Sequence, residues 1–238
     1  MYKDLSIEQY DGLLSSKSAT PGGGSALAMV AAKGVALIEM AINVTLTKPC
    51  DEIAENLLKR ELSTLEKCHG RFYKLADEDS AAFDCIIEAM RLPKNTPEEQ
   101  KHRNSQLQKQ YHKAALVPLE VMQLAELAIS SRRCFDYLYD YVASDAYIGK
   151  SLLKAVAENS MHNVTANTSL IKDDELKLRL EKQAQQIVNN VKEPNIHTTS
   201  RRTAARRFYF TQKRTASAMF LTVRFIFVRL FQIGILAV

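Results

Sequence analysis

The stretch from Asp51 to Arg91 does most to limit the possible folds. Over about forty residues its apolar positions return every third or fourth place: Ile53, Leu57, Leu58, Leu62, Leu65, Phe72, Leu75, Ala76, Phe83, Ile86, Ile87 and Met90. That is the period of a helix surface, and its length predicts one spine helix or a broken pair. The flanking segments follow suit. Leu5 to Leu14 places Leu5, Tyr10, Leu13 and Leu14 at helical spacing. Ser25 is positioned to cap a second helix, apolar all round through about Leu46, which predicts burial inside a bundle. Lys33 and Glu39 make that helix too polar for an obvious membrane span.

Beyond Pro93-Lys94-Asn95, the run Thr96-Pro97-Glu98-Glu99 is a well-formed helix start, with Thr as cap, Pro first inside and Glu three places after the cap. Pro118 falls inside the pattern that follows and should kink the helix without ending it, because Leu119, Val121, Met122, Leu124 and Ala125 continue the period. Ser144-Asp145 can cap another helix to about Ile171, and Asp173-Asp174-Glu175 a last one to Val191. No period-2 strand or internal repeat is present. The expectation is an all-α elongated bundle of about five to six long helices spanning residues 1–193.

The charge distribution narrows the partners. Of the 32 Lys and Arg, eight fall in residues 195–238, where no acid occurs. The 27 Asp and Glu therefore all precede that tail and outnumber the remaining bases. The body has no basic footprint for nucleic acid. In the tail, Arg201-Arg202, Arg206-Arg207 and Lys213-Arg214 precede an apolar run from Met219 to Val238. About thirteen apolar residues give roughly −6 kcal/mol for insertion, and Arg224 and Arg229 oppose it by about 2.5–3.5 each, so the terms nearly cancel. Residues 194–238 are expected to lie outside the folded domain, as an extension of artefactual origin or a basic disordered tail; membrane contact is not the expected reading. Cys50, Cys68, Cys85 and Cys134 form no CxxC pair, and Lys3, Asp4, Glu8 and Asp11 leave no room for a secretory apolar region. Reduced thiols and a cytoplasmic setting are the expectation.

Three constellations carry possible chemistry. Pro21-Gly22-Gly23-Gly24-Ser25 opens a helix, where free N–H groups attract anions and glycines permit close approach; it is equally well a tight inter-helix turn. Asp77-Glu78-Asp79 would ordinarily be a solvated face, yet Asp79 borders the buried side one turn before Phe83. A carboxyl there can have the raised pKa suited to general acid/base work. Leu92 to Glu99 is a capped connection in which Lys94, with Arg103 one turn beyond Glu99, could serve an anionic ligand. Asn163 and Asn167 share a helix face. The five histidines, His69, His102, His112, His162 and His197, show no metal or nucleophile spacing.

Together these residues resemble one family. Pro21-Gly-Gly-Gly-Ser25, Asp77-x-Asp79-x-x-x-Phe83 and the unbroken Glu88-Ala-Met-Arg-Leu-Pro-Lys-Asn-Thr-Pro-Glu-Glu99 are similar to the cyclodeaminase/cyclohydrolase family, the C-terminal half of formimidoyltransferase-cyclodeaminase and its stand-alone relatives. The resemblance continues through Arg103, Ala114, Pro118-Leu119, Ser144-Asp145, Asn163-Val164 and Asn167, over about residues 5–191. It implies a dimerising helical fold that binds a reduced, polyglutamylated folate and closes its formimidoyl group into a methenyl bridge, releasing ammonia. It implies Asp79 as the acid/base, and substrate contacts from Pro21, Gly22, Gly23, Gly24, Ser25, Asp77, Lys94, Arg103, Asp145, Asn163 and Asn167. No metal and no cofactor beyond tetrahydrofolate are expected, and formimidoyl transfer would occur on a separate transferase. Methenyltetrahydrofolate cyclohydrolase and a non-catalytic folate-binding subunit are the alternatives. The sequence departs from the family pattern at Phe135-Asp-Tyr-Leu-Tyr-Asp-Tyr141, where a Gly-Asn pair is usual, and at Thr168, where an apolar residue is usual.

Overall fold

The computed structural model describes residues 1–130 and 132–192. The chain divides into two units, Met1–Glu193 and Pro194–Val238; the expected basic-then-apolar tail at 194–238 lies outside the described residues. Among those described, six helices and two short 3-10 turns (Tyr2–Asp4 and Arg132–Asp136) carry the ordered structure, without a strand. The helices are α1 (Ile7–Leu14), α2 (Gly23–Leu46), α3 (Glu52–Arg91), α4 (Pro97–Ser130), α5 (Asp140–Thr168) and α6 (Asp174–Lys192). The class expected from periodicity is therefore observed, and α3 is a single unbroken spine.

Helices α2 to α5 form an up-down-up-down bundle in which each packs on the next and α5 returns to close the ring on α2. Side-chain pairs give the antiparallel registers. Ser25 meets Asp79 and Glu39 meets His69 between α2 and α3. Arg71 meets Glu120, and Arg103 meets Met90, between α3 and α4. Between α5 and α2, the Tyr139 N–H donates to Thr45 Oγ1 and Gly149 lies on Gly34. Helix α6 runs parallel to α4, with Gln108 at Lys172 and Glu126 at Asn190.

Two helix starts differ from expectation. Ser25 does not cap α2. Gly22 holds the cap position, so Ser25 falls in the first turn and is buried. Nor do Ser144 and Asp145 cap α5, which begins a turn earlier at Asp140 after Tyr139. Thr45, reaching across from α2, satisfies the Tyr139 N–H, a tertiary bond that local sequence does not announce. Thr96 and Asp173 cap as expected, and Asp51 caps α3 in the same way: each side chain accepts from the N–H three places on. The Glu99 carboxylate returns the contact to the Thr96 N–H and completes a capping box.

The all-round apolarity of α2 is spent on this ring. Ala28, Ala31, Ala32, Val35, Ile38, Ala41 and Ile42 are buried, while Lys33 stays exposed and Glu39 meets His69 Nδ1 at 2.7 Å. On α3, Leu58, Leu65, Phe72, Leu75, Ala76 and Ile86 are core as expected, but Ile53, Phe83 and Met90 are exposed. The register explains the last two. With Ser25 opposite Asp79, α3 outruns the start of α2, so Phe83 and Met90 project past the helix that would have covered them.

Pro118 sits inside α4 without ending it. A proline there deprives the carbonyl four residues earlier, that of Ala114, of its helical N–H partner. The Asn167 Nδ2 group of α5 donates to that carbonyl at 3.2 Å, and to the Asn163 carbonyl at 3.0 Å. Asn167→Ala should therefore cost about 1–3 kcal/mol, the range for orphaning a buried carbonyl. In a Pro118→Ala background, where the helix restores its own bond, the same change should cost clearly less. Equal costs in both backgrounds, measured by denaturant unfolding, would count against this pairing.

Candidate functional site

The first turn of α2, the middle of α3 and the N-terminal segment converge on one carboxyl group. Pro21, preceded by a cis peptide bond, is buried and anchors the loop; Gly22 then caps α2 without a side chain. A helix start leaves N–H groups unpaired, and here Asp79 of α3 takes one of them: its Oδ2 accepts from the Ser25 N–H at 3.0 Å. Among the described residues no hydrogen bond is made by the N–H groups of Gly23 and Gly24. Burial pushes the Asp79 carboxyl above the usual carboxylate range, while the Ser25 N–H pulls it part of the way back. Desolvation is the larger effect, which leaves a group able to hold or release a proton nearer neutrality.

Gly24 explains how the carboxyl comes so close. A Cβ built on it would stand 2.5 Å from Asp79 Cγ and 2.8 Å from Oδ2, closer than a methyl and a carboxyl can approach. No side chain larger than hydrogen fits between this turn and Asp79. The preceding glycine faces another way: a Cβ on Gly23 would lie 4.0 Å from the Asn163 Oδ1 of α5. Gly23, Gly24, Ser25, Asp79 and Asn163 are thus brought together. Phe83, one turn beyond Asp79 on the same helix and 37% exposed, leaves an accessible aromatic face at its open end.

The N-terminal segment closes a second side, which the sequence reading missed. Tyr10 is buried, and its hydroxyl shares a 3.0 Å hydrogen bond with the Ser25 hydroxyl. The Tyr2 N–H donates to Asp77 Oδ1 at 2.8 Å, and the Tyr2 hydroxyl donates to Ser80 Oγ at 2.9 Å. The rings of Tyr2 and Tyr10 meet edge to face at 5.5 Å. Asp77 therefore holds the chain start, while its other oxygen, Oδ2, is buried with no partner. Period counting could flag Tyr10 as apolar-facing but not that it meets Ser25.

The remaining expected residues lie elsewhere. Arg103 donates from Nε to the Met90 carbonyl at 3.1 Å, tying α4 to the end of α3, and Lys94 is exposed on the connection between them. Met90 is eleven residues beyond Asp79 on α3, about 16 Å along the axis. Asp145 is eighteen residues before Asn163 on α5, about 27 Å away. The structure gathers neither Lys94 and Arg103 nor Asp145 at the Asp79 carboxyl. Asn167 spends its Nδ2 group on the Ala114 and Asn163 carbonyls.

Charged clusters that spacing did not reveal flank the site. Arg71 clamps Glu120 from Nε at 2.6 Å and Glu78 from Nη2 at 2.9 Å, so the residue before Asp79 is fixed across the α3–α4 seam. His69 bridges Glu39 on α2 and Tyr73 one turn ahead. Of these partners, Glu39 and Glu120 lie 30 and 49 positions away on other helices, which no local pattern encodes. Among the described residues, no set of three His, Cys, Asp or Glu side chains is arranged to hold a metal ion.

Comparison with known proteins places this geometry in context. The model of the formiminotransferase-cyclodeaminase family matches residues 6–186. Mouse (Mus musculus) formimidoyltransferase-cyclodeaminase is 34% identical over 120 residues, which are 50% of this chain and 22% of that protein. Methenyltetrahydrofolate cyclohydrolase of Methylorubrum extorquens is 37% identical over 128 residues, 51% of this chain and 62% of that one. The chain thus spans less than two thirds of either relative. The crystal structure of formiminotetrahydrofolate cyclodeaminase from Thermotoga maritima shares the fold, with a TM-score of 0.72 at 23% identity, covering 80% of this chain and 92% of the other.

Proposed function

The chain belongs to the formiminotransferase-cyclodeaminase family, and from that membership we propose that it cyclises 5-formimidoyltetrahydrofolate to 5,10-methenyltetrahydrofolate with release of ammonia. The observation that carries this reading is the buried Asp79 carboxyl set against the glycine-rich start of α2. In the reaction, nitrogen 10 of the folate attacks the formimidoyl carbon and loses its proton, and the C–NH2 bond of the resulting adduct breaks as that nitrogen leaves protonated. Nitrogen 10 is a weak, aniline-like nucleophile, so holding it against the carbon supplies much of the rate. Asp79 performs both proton steps: as carboxylate it takes the nitrogen 10 proton, and as acid it returns a proton to the departing amine. The free N–H groups of Gly23 and Gly24, with Asn163 beside them, offer donors to a carbonyl edge of the ligand. Phe83 offers a face for ring stacking.

A reduced, polyglutamylated folate is long enough in kind to reach from this carboxyl toward Lys94 and Arg103, whose charges suit its glutamyl carboxylates. No metal or redox cofactor enters these steps. A cytoplasmic homodimer, supplied with formimidoyl groups by a separate transferase, completes the reading.

The identity to a methenyltetrahydrofolate cyclohydrolase favours a second reaction on the same carboxyl, in which water adds to the methenyl bridge and reopens it. One assay separates the two. Purified chain supplied with 5-formimidoyltetrahydrofolate should raise methenyl absorbance with ammonia in equal amount. A cyclohydrolase instead consumes methenyl absorbance from supplied methenyltetrahydrofolate and releases no ammonia. Absence of turnover with both folates would overturn the enzymatic reading and leave folate binding alone.

A further inference from the structure

We propose that Tyr10 is a positioning residue for this site: its hydroxyl fixes Ser25 so that the Ser25 N–H stays aimed at the Asp79 carboxyl. The inference rests on reading Asp79 as the acid/base group, and it concerns what holds that group in its working state.

Three observations build the relay. The Ser25 side chain is fully buried yet makes no local cap, because it lies inside the first turn of α2 and not at its start. Its hydroxyl is turned to Tyr10, 3.0 Å away, on a helix separate in sequence and buried in its turn. Its N–H makes the single hydrogen bond that Asp79 accepts among the described residues. Three glycines run directly into this turn, and glycine leaves a chain more backbone freedom than any other residue. Without an external tie, the direction of the Ser25 N–H would be poorly defined. Tyr10 supplies the tie, and the edge contact with Tyr2, itself hydrogen-bonded to Asp77 and Ser80, holds the Tyr10 ring.

The surrounding charges are few. Asp77 and Glu78 stand beside Asp79 on α3, with Glu78 engaged by Arg71. Asp11 and Tyr2 lie near Tyr10, and the Met1 amine pairs with Asp4. The first turn of α2 brings no ionisable side chain. By register, α4 passes this level with Tyr111, His112 and Lys113, and α5 brings His162 next to Asn163. None of these is altered by removing one hydroxyl at position 10.

The test reads the Asp79 carboxyl directly, by carbon-13 NMR titration of the full chain labelled at aspartate, the signal being assigned by its loss in Asp79→Asn. Tyr10→Phe keeps the ring and removes the tie. Loosening the N–H should let desolvation act unopposed and raise the midpoint by about half a pH unit or more. Ser25→Ala keeps the N–H and removes the hydroxyl, so it should raise the midpoint similarly. The double variant should add little beyond either change alone, since both cut one link. Where either single variant fails to fold by circular dichroism, the other carries the test. An unmoved midpoint with only a lowered melting temperature would overturn the positioning role. That failure is distinct from failure of the functional reading, which shows as absence of turnover in the unaltered chain whatever the midpoints do.

Discussion

Asp79→Asn is expected to cut kcat by about 10²–10⁴, the range ordinarily supplied by one acid/base group, while making the folded chain more stable at neutral pH. Both effects come from the same burial. Desolvation holds the folded-state pKa of Asp79 above its unfolded value, with the Ser25 N–H only partly opposing it. The folded form thus binds this proton more tightly. The associated stability is fully present below the ordinary carboxylate range and is lost as pH rises through the folded value. Asparagine accepts from the same N–H and cannot ionise, so it escapes that loss. The melting temperature of the variant should therefore gain on that of the unaltered chain as pH rises, then keep a constant lead. Turnover of the unaltered chain should rise with pH over the same window, as the carboxylate needed to deprotonate nitrogen 10 is formed. Retained turnover in Asp79→Asn, or a melting difference that shrinks as pH rises, would remove Asp79 from the role.

The second large effect falls on the α2–α5 seam. A Cβ on Gly149 would lie 3.0 Å from Ile38 Cγ1 and 3.1 Å from Leu37 Cβ, with the Gly34 carbonyl oxygen nearer still. A Cβ on Gly34 would meet the Gly149 carbonyl oxygen at 2.9 Å. Backbone oxygens cannot rotate aside as a flexible side chain can, so Gly149→Ala must push the two helices apart. Overpacking of this kind costs about 1–3 kcal/mol or more, against a gain of about 1 kcal/mol from replacing glycine by alanine inside a helix. At the contact given, overpacking prevails. Gly149→Ala should lower the melting temperature by several degrees, at roughly 2–4 °C per kcal/mol for a chain of this size. Gly34→Ala, with its looser contact, should cost less. A Gly149→Ala chain that melts at or above the original temperature would mean that helix propensity decides and that the seam yields easily.

How much of this was legible depends on the range of the interaction concerned. The apolar period of α3 and the Thr96-Pro97-Glu99 start were readable, because each is settled within one or two turns. Asp79 could be placed at the edge of the buried side by the same counting. What the sequence could not supply was what each helix end meets. Ser25 looks like a cap and is instead a buried link between Tyr10 and Asp79, since three consecutive glycines let the helix begin before it. Asn167 looks like a ligand-facing amide, and its Nδ2 group takes up the carbonyl that Pro118 leaves over, a pairing 53 positions apart. Phe83 looks like core and is exposed because α3 is longer than its neighbour, a fact of relative length and not of local pattern.

The closure of the helical ring has a consequence for synthesis. Three of its four seams join helices adjacent in the chain, but Gly34 and Gly149 are brought together from opposite ends of the ring. Contacts so distant in sequence form late, because the intervening chain must be ordered first. The 93 residues between Leu46 and Asp140 take a ribosome roughly 5–20 seconds at about 5–20 residues per second. Throughout that interval one flank of α2, the most apolar of the described helices, waits without its cover. Apolar surface left exposed in this way is what makes a growing chain prone to aggregate before its last partner helix has emerged.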